Sequence, residues 1–316
     1  MKKFTKGALI IALVFMVFGF TLCAVGAGIG FHYSSIPEMI SKGVFQLNFG
    51  NWSEHWNNAW SWNNWDDDWE SWIDGTTEKY DFSTDECADI QNLKLIGECG
   101  TIEVEEAKEN QGIHVEVTYR KANTKRKVNV EKNGTTLEIE DKSSWGLVNN
   151  DNVHISIQIP KNMEFEKVEL ENSAGEITLN HALNAKECSV VVGAGECVIN
   201  KDLQVSGKLY AEVDAGEIDF AKVSAEKIEL NAGVGEIDIE YASADEVFLD
   251  CGVGSLSVTL AGTEEDYSYS IDCGVGDVEI GHSSYSGLGT TKNISGGSKK
   301  VEIDCGVGEV SVEFKK

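Results

Sequence analysis

Carboxylates placed at a fixed interval are the residues here whose type and spacing could do chemistry. Glu176, Glu196, Glu217, Glu236, Asp277 and Glu309 each directly follow a glycine, and Ser255 fills the same place once. The glycines themselves, Gly175, Gly195, Gly216, Gly235, Gly254, Gly276 and Gly308, lie 20, 21, 19, 19, 22 and 32 residues apart. If the repeats stack, the acids line up at about strand spacing, roughly 4.8 Å. Like charges that close repel, less so where salt screens an exposed surface. Hard cations such as Ca²⁺ bind several carboxylate oxygens and would relieve the repulsion. Glu217, Glu236, Asp277 and Glu309 are therefore the candidate metal ligands, with calcium the cofactor they suggest. The period does not match the nonapeptide calcium repeat, however. A solvated acidic edge that keeps a β-fold soluble and blocks edge pairing is the competing and preferred reading.

Thiols form a second series. Cys251, Cys273 and Cys305 occupy one slot, three residues before the recurring glycine, where Val192, Val213 and Ala232 stand in other repeats. Cys188 and Cys197 fall at positions of the same inward parity. Free cysteine behaves as a small buried hydrophobe, which is the expectation here. A disulfide framework is the rival in an exported chain, but in-register parallel strands point their Cβ vectors the same way and suit bridging badly. A Cys87–Cys99 bridge is left open. The histidines His32, His55, His114, His154, His181 and His282 are far apart, and there is no His-Glu-x-x-His and no Cys-x-x-Cys. No Gly-x-Ser-x-Gly elbow and no phosphate loop is present either. The Gly-Val-Gly triplets lack the third glycine of a dinucleotide fingerprint, and none opens a helix. Nothing in this inventory supports catalysis, and a non-enzymatic protein is expected.

The elements that must position these residues follow from the same period. Each unit reads as an alternating strand, a small or apolar residue with glycine, and a second alternating strand. Val301, Ile303, Cys305 and Val307 share one parity, and Val310, Val312 and Phe314 take the other. Ile228, Leu230, Ala232 and Val234, then Ile237, Ile239 and Tyr241, repeat the switch. Side chains alternate along a strand, so each half buries one face, and the phase slip marks a corner. Glycine there supplies either positive φ or close backbone approach. One unit cannot cover its own apolar face, whereas stacked neighbours bury a continuous core. The expected fold is all-β, a β-solenoid of about eight repeats of roughly 20 residues, preceded by one N-terminal transmembrane helix.

In chain order, residues 1–31 carry Lys2, Lys3 and Lys6 and then run uncharged from Gly7 to Phe31. That length spans a hydrocarbon core of roughly 30 Å as a helix. The positive end should stay cytoplasmic and the rest be exported, giving a single-pass anchor in the cell membrane. Ala24-Val25-Gly26-Ala27 offers a cleavage site to the rival signal-peptide reading, but the apolar run is long for one. Residues 32–79 form a juxtamembrane segment rich in Trp, Asn and acids. Trp52, Trp56, Trp60, Trp62, Trp65, Trp69 and Trp72 fall there, in two clusters that fit two short amphipathic helices breaking near Ser61. Tryptophan favours the headgroup level, which makes these seven the membrane-interface candidates, with packing on the β-domain or a partner as the alternative. Residues 80–160 contain less regular strands that start or cap the solenoid, with Cys99-Gly100 as a degenerate first corner and Asn133-Gly134 as a hairpin. Residues 161–316 are the regular array, interrupted by a Ser- and Gly-rich stretch, Gly281 to Ser298, expected to be a loop. The formal net charge is −27. A surface this acidic argues against nucleic acid and against electrostatic adhesion to anionic lipid.

Ile157-Gln158-Ile159-Pro160, Val168-Glu169-Leu170 and Ala174-Gly175-Glu176-Ile177 resemble a bacterial family of unknown function whose members are labelled candidate adhesins. The resemblance covers roughly Leu93 to the end. It implies a β-solenoid ectodomain behind a short N-terminal anchor, many members lying in Gram-positive cell envelopes. It carries over no catalytic residue, and the Trp-rich stretch departs from its common pattern. The expected role is therefore binding, adhesion or structural work in the envelope, with an envelope protein or a glycan as partner. An envelope-stress or signalling accessory acting through the Trp-rich segment is the first alternative. A carbohydrate-active enzyme, which would set paired carboxylates beside aromatic platforms, is the second.

Overall fold

The computed structural model of the chain describes residues 76–98, 100–119, 128–141, 153–286 and 289–316. The expected membrane span, residues 7–31, and the tryptophans Trp52 to Trp72 lie outside the described residues. So does Cys99, and with it the open question of a Cys87–Cys99 bridge. Among the described residues no helix is long and apolar enough to cross a membrane. The fold is all-β, and the strands join one sheet that turns back on itself as two walls.

The chain enters through β1 (Thr76–Phe82), one turn of helix α1 (Thr84–Cys87), β2 (Asn92–Gly97), β3 (Gly100–Glu106), β4 (Ile113–Tyr119), β5 (Val128–Asn133), β6 (Thr136–Asp141) and β7 (Val153–Ile159). The first described strand thus overlaps the end of the segment expected to be juxtamembrane, residues 32–79. Next come β8 (Glu164–Asn172), β9 (Glu176–Leu179), β10 (Leu183–Val192), β11 (Glu196–Val205), β12 (Lys208–Val213), β13 (Glu217–Ser224), β14 (Lys227–Ala232), β15 (Glu236–Ser243), β16 (Glu246–Cys251) and β17 (Ser255–Ala261). The chain ends with β18 (Tyr267–Cys273), β19 (Asp277–Ile280), β20 (Ser283–Ser286), β21 (Thr290–Ile294), β22 (Lys299–Cys305) and β23 (Glu309–Lys315).

From β8 to β17 each repeat gives one strand to each wall, and like strands pair in parallel, in register except for shifts between Ile199 and Asp202 and between Ile239 and Ala242. The start of β10 also pairs with the end of β11, Leu183 beside Leu203, and so links the walls. The ends break the sequential order expected of a simple solenoid. The first-wall order is β5-β6-β2-β8-β10-β12-β14-β16-β22-β18-β21. The second wall matches it, with β3 between β7 and β9, and β23 between β17 and β19. The first layer of the sequence and the last therefore each sit one place inside the stack. Layers β6–β7 and β18–β19 lie outside them. Antiparallel strands cover both ends: β5 with β1 and β4 at one, β20 and β21 at the other. The stretch expected to be a loop, Gly281 to Ser298, thus supplies two end strands. Counting β6–β7, the stack has nine layers rather than eight, about 40 Å at strand spacing.

Register explains the core. Ile139, Leu95, Leu170, Val190, Ala211, Leu230, Leu249, Ile303 and Ile271 pair successively across the first wall, and all are buried. Ile102, Ile177, Cys197, Ile218, Ile237, Leu256, Val310 and Val278 oppose them from the second. Truncating one such side chain, Leu230 for instance, costs about 2–5 kcal/mol where its neighbours cannot collapse into the space.

Candidate functional site

The corners are the feature shared by every regular layer. Gly100, Gly175, Gly195, Gly216, Gly235, Gly254, Gly308 and Gly276 stack in that order, so Gly100 opens the series. None of them has positive φ, which settles the choice between the two reasons for glycine. Close approach is the cause. A Cβ on Gly235 would stand 2.5 Å from the carbonyl oxygen of Gly216 and 2.7 Å from a methyl of Val213. A backbone ladder keeps the corners together, with Glu236 N–H donating to Gly216 O at 3.0 Å and Val234 N–H to Asp214 O at 2.7 Å. At the first regular corner a buried amide does this work. Asn172 takes the place of Val192 or Val213, donates from Nδ2 to Gly175 O at 2.6 Å, and accepts from Gly175 N–H at Oδ1, 2.9 Å.

One expectation about the corner fails. The corner valines were assigned the inward parity of the strand before them, but Val234, Val275 and Val307 stand 38%, 61% and 54% exposed. The inward series stops at Ala232, Cys273 and Cys305 and resumes at Ile237, Val278 and Val310. The Gly-Val-Gly turn between them rotates the chain from one wall to the other, and that rotation carries the valine outward.

The carboxylates fall into columns. Glu176, Glu196, Glu217 and Glu236 are register partners, Glu236 pairs with Ser255, and Ser255 is followed by Glu309 and then Asp277. Of the four metal candidates, Glu217 adjoins Glu236 and Glu309 adjoins Asp277, with Ser255 between the two pairs. Asp219 and Asp238 form a parallel column two residues on. Desolvation by its neighbours in the column, then Asp219 and Glu236, push the Glu217 carboxyl up to about 7 although the side chain stands exposed, and burial with Glu176 raises Glu196. Side chains in such a column lie side by side and do not converge. Among the described residues no group of three or more His, Cys, Asp or Glu is arranged to hold a metal ion.

Cys251, Cys305 and Cys273 stack in consecutive layers as their shared slot implied. All are buried, and burial pushes the Cys251 thiol up to about 11 and that of Cys305 up as well. Neutral buried thiols are poor nucleophiles. His114 and His154 are half-buried in strands, and His114 Nδ1 lies 2.6 Å from Asp81. His181 was not singled out by its sequence surroundings. It is buried beside the ends of β3 and β7, its Nδ1 has no hydrogen-bond partner, and Glu106 lies 3.9 Å away. Burial lowers its pKa.

A second acid column also escaped notice. Asp250, Asp304 and Asp272 are register partners on the first wall, immediately before the stacked cysteines. The signal was present, since Asp-Cys-Gly-Val-Gly occurs at 250–254, 272–276 and 304–308. The Toastrack DUF4097 family model matches residues 90–280. The chain belongs to the Toastrack DUF4097 family. No curated protein sequence matches it significantly. A candidate adhesin from Parabacteroides distasonis is 16% identical, covering 75% of this chain and 96% of its own, with a TM-score of 0.50. A candidate adhesin from Parabacteroides merdae is 13% identical over 77% of this chain and 96% of its own, at 0.47. A candidate lipid-binding protein from Parabacteroides distasonis is 16% identical over 77% and 97%, at 0.42. At these identities the first likeness speaks to fold alone. The Toastrack array here is thus a periodic scaffold, whose surface consists of columns of like residues.

Proposed function

We propose that this chain is a non-enzymatic, membrane-anchored protein of the cell envelope, whose Toastrack body lies outside the membrane as a rigid element for binding or structural work. The observation that carries this reading is the repetition of one register from layer to layer. It presents acidic and apolar columns that run over several layers, which suit an extended partner better than a single reacting molecule. Lys2, Lys3 and Lys6 ahead of the 25-residue uncharged run Gly7–Phe31 support an N-terminus in the cytoplasm. An envelope protein is the partner class favoured over a glycan, because exposed aromatic platforms are scarce on the walls. The test is protease added to intact, wall-stripped cells, followed by fractionation. The expected outcome is digestion of residues 76–316 with a short N-terminal fragment left in the membrane. Protection of the body, or a mature chain beginning near Ala27, would refute the anchored arrangement.

A further inference from the structure

Among the described residues, the large apolar side chains standing exposed are Val234, Val275 and Val307, and all three belong to one row. Half-buried Val253 completes it. Val253 N–H donates to Gly233 O, Val307 N–H to Gly252 O and Val275 N–H to Gly306 O, which fixes the order 234, 253, 307, 275. Three steps of the stack make a row roughly 14 Å long at strand spacing. Glycine flanks each valine on both sides, so the methyls rise from bare backbone. The glycine after each valine is dictated by the stack, but the valines are not, because Ala174, Ala194 and Ala215 hold the same place in the three layers before.

Acids border the row on both sides. Asp250, Asp304 and Asp272 run along the first wall, and Glu236, Glu309 and Asp277 along the second. Among the described residues no lysine, arginine or histidine forms an ion pair with Asp250, Asp272, Asp304, Asp277 or Glu309. The lysines of these layers sit at the other end of the strands, where Lys227 pairs with Glu229 and Lys300 with Glu246. Proximity to Asp304 adds to burial in raising the Asp250 carboxyl. An apolar row with acids on both flanks specifies its complement. A second copy would bring like charges together, and an anionic lipid surface would be repelled.

We infer that this edge docks a basic amphipathic helix of a protein partner, its apolar stripe on the valines and its lysines or arginines over the two acid columns. About ten residues of helix, at a rise of roughly 1.5 Å each, cover the row. Charge complementarity guides the approach and the valines fix the line of contact. The inference rests on the envelope-binding reading and names the kind of partner it would hold.

The test is a fluorescence-anisotropy titration of the full chain with a labelled synthetic helix of Lys and Leu, its leucines on one face and lysines on both borders. Saturable binding is expected. A Val234→Ser/Val307→Ser/Val275→Ser triple variant, exposed at every site and so retaining the wild-type melting temperature, should bind at least tenfold more weakly. Asp250→Asn/Asp304→Asn/Asp272→Asn should weaken binding by a similar factor and flatten its salt dependence. A scrambled peptide of identical composition should lose tenfold. Equal binding to wild type and the valine triple would reduce the effect to attraction by the chain's net charge and overturn the assignment, as would absence of binding at millimolar peptide. A failed titration with a chain that external protease still digests removes this assignment alone. Protection from that protease removes the envelope reading instead.

Discussion

Replacing Gly235 by alanine sets two opposite effects against each other, and the structure decides between them. Removing glycine restricts the unfolded chain and stabilises by about 0.4–1 kcal/mol where the native conformation is compatible. Here the backbone is compatible, since φ is not positive. The space is not. The new methyl would lie 2.5 Å from Gly216 O and 2.7 and 3.0 Å from the two methyls of Val213, nearly 1 Å inside ordinary contact. Gly216 O cannot retreat freely, because Glu236 N–H donates to it at 3.0 Å. Overpacking of this kind costs about 1–3 kcal/mol, and a weakened ladder bond adds about 1. The net expectation is a loss of about 1–3 kcal/mol. For a body of this size that lowers the melting temperature by roughly 3–10 °C, as circular dichroism would register. Gly134 is the control, with φ at +60° and no atom near the added Cβ. Asparagine tolerates the left-handed region, so Gly134→Asn should be nearly neutral while Gly235→Asn is as damaging as Gly235→Ala. An unchanged or higher melting temperature for Gly235→Ala would refute close approach as the reason for the corner glycines.

Three further outcomes are expected. Glu217 is held protonated to about pH 7 in the fold, against an ordinary carboxylate value near 4.5, so the native state binds the extra proton between these pH values. Its contribution is therefore present at low pH and lost as pH rises to about 7; Glu217→Gln should melt higher than wild type at pH 8, with the gap closing near pH 4.5. Asn172→Ala leaves Gly175 N–H and O without their side-chain partner and should cost about 1–3 kcal/mol in urea unfolding. Millimolar calcium should move the melting temperature no further than sodium chloride of equal ionic strength; a calcium-specific rise abolished in Glu217→Gln/Glu236→Gln would make the column a metal site.

The layers were legible because two periods coincide: the alternation that buries one face of a strand, and the recurrence near 20 that brings Glu217 opposite Glu236 and Leu230 opposite Leu249. What stayed hidden has one physical origin. Every layer carries nearly the same pattern, so Val301 fits beside Val247 as well as beside Tyr269, and local sequence does not say which neighbour a strand takes. The exchanged order at both ends was unreadable for that reason. The outward valines were missed differently. Alternation was carried one residue too far, through a turn where strand geometry no longer applies. His181 gave no signal, since its burial arises from the ends of β3 and β7, more than 20 residues away in the chain.

The exchanged ends also bear on how such a chain can grow. Because β2–β3 and β22–β23 are each gripped between two other layers, and antiparallel strands cover the outermost layers, none of these described layers offers a bare face on which a further unit could be stacked. Lengthening by duplication must therefore happen in the interior, among the sequential units from β8 to β17. A copied segment there finds matching neighbours on both sides and leaves the closures untouched. The same arrangement separates chain order from spatial order: β18–β19 precedes β22–β23 in the sequence yet joins β16–β17 only through it.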